Sequence, residues 1–454
     1  MHKKGLGTLG VILIIAIITA GVFHLTTYNE ARLGPAPFKL TPSGEGTDSP
    51  GNITPVNGTP TQITPSAVCS TDSIPIKTPQ DLYFVRINLN GSYCQMNDID
   101  LTGWNWEPLG SDSVPFKGTY NGNGYNISNL FSDGQVGWEH GIFGAANGAI
   151  FKNIKIVNPQ LINNEDGNYG SLAGLIRNGT LVQNVYVFNP FIKARPSVSA
   201  GGLVGVMGRS SQEGPQEEHN KIINSASYGG SVNVNNVFYV VNFDALGGLV
   251  GRLSSSDSSI YNSSSSTNVN GIDPANGHGV WATGGLVGNS YWPLTTDYVI
   301  QDSFATGNVS GMVSGGLVGI MHYGHQTHGL IINNSYATGL VTGGNYGSNS
   351  QAGGLVGNIT NGDITDQQII NSYSKGLVQG LQQQTILGGL IARGAPKVNS
   401  SYWDTQTSGQ TSSAGGEGRN TSEMTSVPRP TNTYVNWNFN SIWTQVNGQY
   451  PTLR

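Results

Sequence analysis

Apolar and polar positions divide this chain into three regimes. The first is one unbroken apolar run, Leu6 to Phe23, preceded by His2, Lys3 and Lys4. Eighteen residues are near the lower limit for crossing a bilayer. Residues 34–67 follow, where Pro, Thr, Ser and Gly dominate and apolar residues are sparse. Such a stretch cannot bury enough surface to fold, which predicts an extended spacer. From about residue 74 the pattern becomes short apolar runs of four to six residues, punctuated by glycine. Runs of that length predict short strands joined by tight turns.

The short runs repeat. Gly-Gly-Leu-Val-Gly begins at 201, 247, 284, 315 and 353, and Gly388-Gly389-Leu390-Ile391 is a decayed copy. Two weaker copies precede them, Ala173-Gly174-Leu175-Ile176 and Gly141-Ile142-Phe143-Gly144. Each copy leads, after a variable loop, to an apolar step and a polar pair, as in Ile332-Asn333-Asn334-Ser335 and Ile370-Asn371-Ser372. No unit is long enough to fold alone. Stacked in parallel, each strand pairs with its counterpart about 4.8 Å away. The pattern therefore predicts an all-β fold, a right-handed parallel β-helix, with length variation placed in loops. The double glycine suits a sharp bend or a close approach of two walls. Leu203, Leu249, Leu286, Leu317, Leu355 and Leu390 should form one interior column, with the Val after each facing the other way. Asn224, Asn262, Asp302, Asn334, Asn371 and Asn399 should stack as a side-chain ladder.

The ends read as covers for the open coils. Thr78-Pro79-Gln80-Asp81 is a helix start, with Thr as N-cap and Pro at the first helical position. The segment "LYFVRI", with Trp104 and Trp106, would seal the first coil. Trp437, Phe439, Trp443 and Tyr450 would cover the last. The expected divisions are 1–25, an apolar helix; 26–73, a linker; 74–140, a cap and first coils; 141–398, the repeats; and 399–454, a C-terminal cap.

Composition narrows the function. There are 65 glycines, and charged residues make up 10%, against about 25% in an average domain. The net charge is −5 with no basic block, which argues against a nucleic-acid partner. Lysines before the apolar run predict a cytoplasmic N-terminus, the remainder outside, and the membrane as a partner through residues 6–23. Outside the cell, Cys69 and Cys94 suit a disulfide better than free thiols. Glycosylation sequons considered as occupied are Asn52, Asn57, Asn90, Asn178, Asn308, Asn358 and Asn420. Those at Asn262 and Asn399 would be silenced by the ladder.

Two resemblances add to this. Lys3-Lys4-Gly5-Leu6 resembles the class III signal of archaeal pilins, which implies a cut after Gly5 and a helix retained in a membrane or filament core. The Gly-Gly-Leu-Val-Gly copies, with Asn334-Ser335-Tyr336-Ala337-Thr338-Gly339 and Asp302-Ser303-Phe304-Ala305-Thr306-Gly307, resemble the GLUG-motif family of surface and adhesin-like proteins. That resemblance spans about 74–454. It implies a β-helix on the cell surface and brings no catalytic residue.

Candidate chemistry is sparse. The acid pairs Asp98 with Asp100, Glu217 with Glu218, and Asp363 with Asp366 could in principle flank a sugar. The first pair reads better as turn and strand-end residues, and the Glu pair as solvent-facing. His322, His325 and His328 crowd one loop, but no fourth ligand is evident, so neither a metal nor a cofactor is expected. Trp281, Tyr291, Trp292 and Tyr323 fall in or near long loops of neighbouring units, where rings could stack on sugars. The expectation is a non-enzymatic, adhesin-like surface protein whose partners are glycans or envelope proteins. The alternatives are a pilin-like filament subunit, hence a homo-oligomer, and a polysaccharide-active enzyme.

Overall fold

A computed structural model describes residues 69–134, 137–162, 166–195, 198–208, 218–234, 245–254, 257–273, 277–291, 297–322, 328–345, 349–360 and 367–454. The chain divides into two units, 1–52 and 53–454. The apolar run and most of the linker lie outside the described residues, as do the sequons at Asn52 and Asn57. Among the described residues no helix is long and apolar enough to cross a membrane.

The described part is almost entirely parallel sheet, in an arrangement compatible with a parallel β-helix. One coil serves for the rest. It contains β1 (Tyr298–Gln301), β2 (Phe304–Ala305), β3 (Val309–Gly311), β4 (Val313–Gly315) and β5 (Val318–Met321). Each strand pairs in parallel with its counterpart one coil on: Ile300 with Ile332, Phe304 with Tyr336, Val309 with Val341, Gly315 with Gly353, Val318 with Val356. Strands of the β1 and β2 type belong to one twenty-stranded sheet, and those of the β3, β4 and β5 types each form an eight-stranded sheet.

Two corners of the coil are rigidly specified. Between β1 and β2 stand Asp302 and Ser303. The first takes a left-handed conformation, as do Asn153, Asn184, Asn224, Asn262, Asn334 and Asn371, all with φ between 44° and 55°. Asn and Asp tolerate this region because the short polar side chain bonds locally. Their side chains stack: Asn262 Nδ2 donates to Asn224 Oδ1 at 2.8 Å, and Asn334 Nδ2 to Asp302 Oδ1 at 2.9 Å. The stack reaches further back than the repeat suggests, with Asn153 donating to Asn121 and Asn184 to Asn153. At the far end the aligned residue is Ser400, not Asn399. Asn399 pairs with Ile370 at a strand end, and Ser400 carries the positive φ.

From Asn224 onward, the serine after each member of the column forms a second, buried ladder. Ser335 Oγ accepts from the Ser303 amide at 3.3 Å and donates to the Asn333 carbonyl at 2.8 Å. Ser225, Ser263, Ser303, Ser372 and Ser401 repeat the pattern. Each hydroxyl thus satisfies one amide and one carbonyl at a corner where the sheet ladder is interrupted.

The other fixed corner is Gly316-Leu317, between β4 and β5. A Cβ on Gly315 would lie 1.8 Å from the Val318 carbonyl oxygen, and one on Gly316 would lie 2.1 Å from the Gly354 oxygen. The glycines are there because backbone occupies the space of a side chain. Leu203, Leu249, Leu286, Leu317, Leu355 and Leu390 are fully buried in one core. The valines do not face away: Val204, Val250, Val287, Val318 and Val356 are buried in the same core. The amides of Leu317 and Val318 both donate to the Leu355 carbonyl, at 2.9 and 3.1 Å. Two amides on one acceptor mark a corner, where strict strand alternation does not apply.

The ends are sealed by separate modules. Thr78 caps α1 (Pro79–Tyr83), accepting from the Asp81 amide while Asp81 accepts from the Thr78 amide. Leu82, Val85 and Trp106 then bury against the first coils, and Cys69 is disulfide-bonded to Cys94. At the C-terminal end the expected cover is differently placed. Trp437, Trp443, Phe439 and Tyr450 pack with α2 (Thr421–Thr425) onto Tyr336, Tyr373 and Tyr402, forming a cluster distinct from the interior. The side chains of Leu390, Ile391 and Val398 are instead met by Gly415 and Gly416.

Candidate functional site

Length variation falls at two places in each coil. One follows the β5-type strand: Met207 to Lys221, Leu253 to Ser259, Ser290 to Tyr298, Met321 to Leu330, Ile359 to Gln368. The other precedes the β4-type strand: Val234 to Ala245, Asn270 to Ala282, Gly311 to Val313, Gly343 to Gln351. These two seams carry the aromatic candidates. Tyr291 leaves the first seam, its amide donating to the Leu253 carbonyl at 2.7 Å and its carbonyl accepting from the Tyr298 hydroxyl at 2.8 Å. His322 takes the same position one coil on, with its ring edge-on to Tyr291 at 5.5 Å. Trp281 stands on the second seam, partly buried against Ala245, Ala282, Met312, Val313 and Ile320. Since Ile320 precedes His322 by two positions, the two seams border one edge of the coil. Trp292 and Tyr323 lie outside the described residues.

Of the three clustered histidines, His322 and His328 lie among the described residues. Burial pushes the His322 imidazole down to about 4, the neutral form. Its Nδ1 lies 3.4 Å from Thr360 Oγ1. His328 Nδ1 is 3.7 Å from Asp297 Oδ1, and His325 lies outside the described residues. Among the described residues no three metal-ligating side chains converge.

The acid pairs have local partners. Asp98 accepts from the Asn126 amide at 2.8 Å. Asp100 Oδ1 accepts from the Thr102 hydroxyl, the Asn129 side chain and the Thr102 amide, and these hydrogen bonds hold its carboxyl low. Glu218 does not face solvent. It is fully buried, with Oε2 accepting from the Asn178 amide at 3.3 Å and from Asn220 Nδ2 at 3.0 Å. Its place in the chain, beside an insertion rich in polar residues, gave no sign of this. Glu217, Asp363 and Asp366 lie outside the described residues.

The sequons differ in access. Asn90 and Asn308 are exposed. Asn178 Nδ2 donates to Asn147 Oδ1 at 3.0 Å, Asn358 is 9% exposed within a strand, and Asn420 caps α2 through the Glu423 amide. Asn262 is exposed, but its Nδ2 is held by the ladder.

No family model matches the chain. A curated protein of Evansella cellulosilytica, named "Putative Gly-rich membrane protein", is 30% identical over 140 residues; the match covers 29% of this chain and 12% of that protein. Two solved structures are similar. One is named a "putative immunoglobulin A1 protease" from Bacteroides ovatus, at 18% identity and TM-score 0.45, over 84% of this chain and 92% of that one. The other is named "IgA1 Protease", at 18% identity and TM-score 0.43, over 72% of this chain and 21% of that one. The expectation of a non-enzyme is corrected by these neighbours, which are named for an enzyme. The name belongs to those proteins, and no catalytic residue of this chain follows from it.

Proposed function

We propose that the chain is a right-handed β-helix of the GLUG type, displayed outside the cell and tethered through residues 6–23. It acts as an adhesin-like interaction protein whose two seams recognise glycans or envelope proteins. One observation carries this reading: the walls and the two glycine- and asparagine-bearing corners keep register from coil to coil, while all large insertions fall on two seams that border one edge. A fold that confines variation to one edge leaves that edge free to diversify for partners. Trp281 and Tyr291 on this edge are suited to stacking on a partner's apolar faces. The membrane-protein name of the Evansella cellulosilytica relative supports the location.

The test uses the full chain displayed on cells. Adherence to glycan-coated and envelope-coated surfaces is compared between the wild type and the double variant Trp281→Ala, Tyr291→Ala. The expected result is adherence that the variant reduces by about tenfold or more, with surface display unchanged. Adherence that is absent from all surfaces, or indifferent to both substitutions, would overturn the reading.

A further inference from the structure

The C-terminal module packs against the twenty-stranded sheet at Tyr336, Tyr373 and Tyr402. Three earlier coils of the same sheet carry a different surface. Their strands are Ile150–Val157, Leu181–Phe188, Lys221–Ile223 and Ala226–Tyr228. Phe151, Ile154, Val182, Val185 and Ile222 are fully buried in the interior. Side chains alternate along a strand, so Lys152, Lys155 and Lys221 turn outward. Lys221 is exposed, and Lys152 and Lys155 are half-buried. The parallel register sets Lys155 beside Tyr186, and Phe188 beside Tyr228.

This lysine group has no carboxylate among its neighbours in the sheet. The four strands contain neither Asp nor Glu, and the same holds for the flanking strands Thr119–Asn121, Asn126–Ser128, Ser259–Tyr261 and Ser264–Ser265. Asp100, which opposes Ser128, is already held by Thr102 and Asn129. Among the described residues, Lys152 and Lys221 enter no ion pair. Arg86, Arg177 and Arg419, by contrast, each have a carboxylate at salt-bridge distance. The whole chain carries 26 acidic residues against 21 basic ones. A three-lysine face without an acid is a local reversal of that sign, and what complements it is an anion.

Rings lie beside the lysines. The Tyr228 ring is 5.5 Å from Phe188 at 24°, and 6.4 Å from Tyr186 at 20°. Tyr186 is almost wholly buried, whereas Phe188 and Tyr228 are half-buried and keep part of their surface open.

These features select a ligand class. A compact small molecule needs a concave site, whereas a sheet face suits an extended polymer. Lys221 stands two coils beyond Lys152, about 10 Å along the coil axis at the parallel-strand spacing. A nucleic-acid duplex carries a charge about every 1.7 Å, far denser than this. Sparse point charges interleaved with apolar ring surface match a polymer of sugar rings with one carboxylate each. We propose that this face binds an acidic polysaccharide, its uronate carboxylates on Lys152, Lys155 and Lys221 and its CH faces on Phe188 and Tyr228. Trp281 and Tyr291 belong to later coils, so this proposal and the seam reading can fail separately.

The test is biolayer interferometry of the full chain in detergent, against immobilised polygalacturonate, its fully methyl-esterified form and duplex DNA. Polygalacturonate should bind, and more weakly as salt rises toward about 0.15 M. The neutral ester and the duplex should bind about tenfold more weakly or worse. The triple variant Lys152→Gln, Lys155→Gln, Lys221→Gln should weaken polygalacturonate binding about tenfold or more. The corresponding arginine triple should retain most of it. Phe188→Leu keeps the apolar packing but removes the flat ring, and should weaken binding about threefold. The seam variant Trp281→Ala, Tyr291→Ala should leave it unchanged. Each variant should keep the wild-type circular dichroism. No binding at millimolar uronate, or an affinity that the glutamine triple leaves intact, overturns the proposal. So does equal binding of the neutral ester, which would remove the charge contact. Tighter binding of the duplex would reassign the face to nucleic acid. An unchanged affinity in Phe188→Leu would overturn the stacking of sugar rings. Loss of binding in the seam variant alone would move the polymer to the seams and overturn the proposal too.

Discussion

Ser335 shows how much one small side chain does in this chain. Its hydroxyl closes two backbone groups on neighbouring coils, the Ser303 amide and the Asn333 carbonyl. Replacing it by alanine leaves both without that partner in a buried corner, a cost of about 1–3 kcal/mol. Ser335→Ala should lower stability by that amount in denaturant unfolding; a change under about 0.3 kcal/mol would count against the ladder. Histidine supplies a second case. His140 is buried with its ring stacked on Tyr169 at 4.4 Å, and burial lowers it to about 4, against a backbone contact at Gly137 that pulls upward. His322 is lowered to about 4 as well. An unfolded chain binds these protons near pH 6.5, before the folded chain does. Stability is therefore complete above about pH 6.5 and is lost as pH falls through 4. For His140 the loss is of the order of 3 kcal/mol. His140→Phe should flatten the fall in melting temperature between pH 7 and pH 4; an unchanged pH profile would show that His140 does not titrate in that window.

At the scale of the element, the corners matter more than the strands. Gly315→Ala forces a Cβ against the Val318 carbonyl, which sits on the same turn and cannot yield without moving the coil. Overpacking of this kind costs about 1–3 kcal/mol, and here the obstacle is backbone, so the upper end is expected. Calorimetry should show a lowered transition, and an unshifted one would mean the corner adapts. This part of the fold was legible because glycine pairs and Asn-Ser pairs are local requirements that recur in sequence. Where sequence and structure part, the cause is local too. Alternation along a straight strand would turn the valine outward, whereas both amides of Leu317 and Val318 turn onto one carbonyl. Residue type favours Asn399, but register puts Ser400 in the column. The seams were visible as variable spacing, and so were Trp281 and Tyr291. The burial of Glu218 was not, because the Asn178 amide and the Asn220 side chain that hold it meet it only once the coils stack.

At the scale of the whole folded unit, the terminal modules differ in kind. The N-terminal module joins the interior core, through Leu82, Val85 and Trp106. The C-terminal module builds its own core against the flanks of successive coils, through Tyr336, Tyr373 and Tyr402. Tyr373 donates to the Pro451 carbonyl at 2.8 Å, and Tyr450 to the buried Asp404 at 2.6 Å. Deleting residues 420–454 should bare this aromatic row without removing the coils. We expect a chain that keeps its β-sheet circular dichroism but associates, with light scattering rising in proportion to concentration. A monomeric truncated chain with an unshifted melting temperature would show the module to be an independent appendage.

The disulfide between Cys69 and Cys94 sets where mechanical load enters the molecule. The strand Ile74–Ile76 pairs with Tyr93–Gln95, and α1 lies in the loop between them. A pull on any residue before Cys69 reaches Cys94 through a covalent link, bypassing the capping helix. The first strand is then not peeled from its neighbour, and the cap stays out of the force path. Tension is delivered to a strand already inside the sheet. Reduction would reroute the same force through Ile74–Ile76, a three-residue edge that can unzip one hydrogen bond at a time.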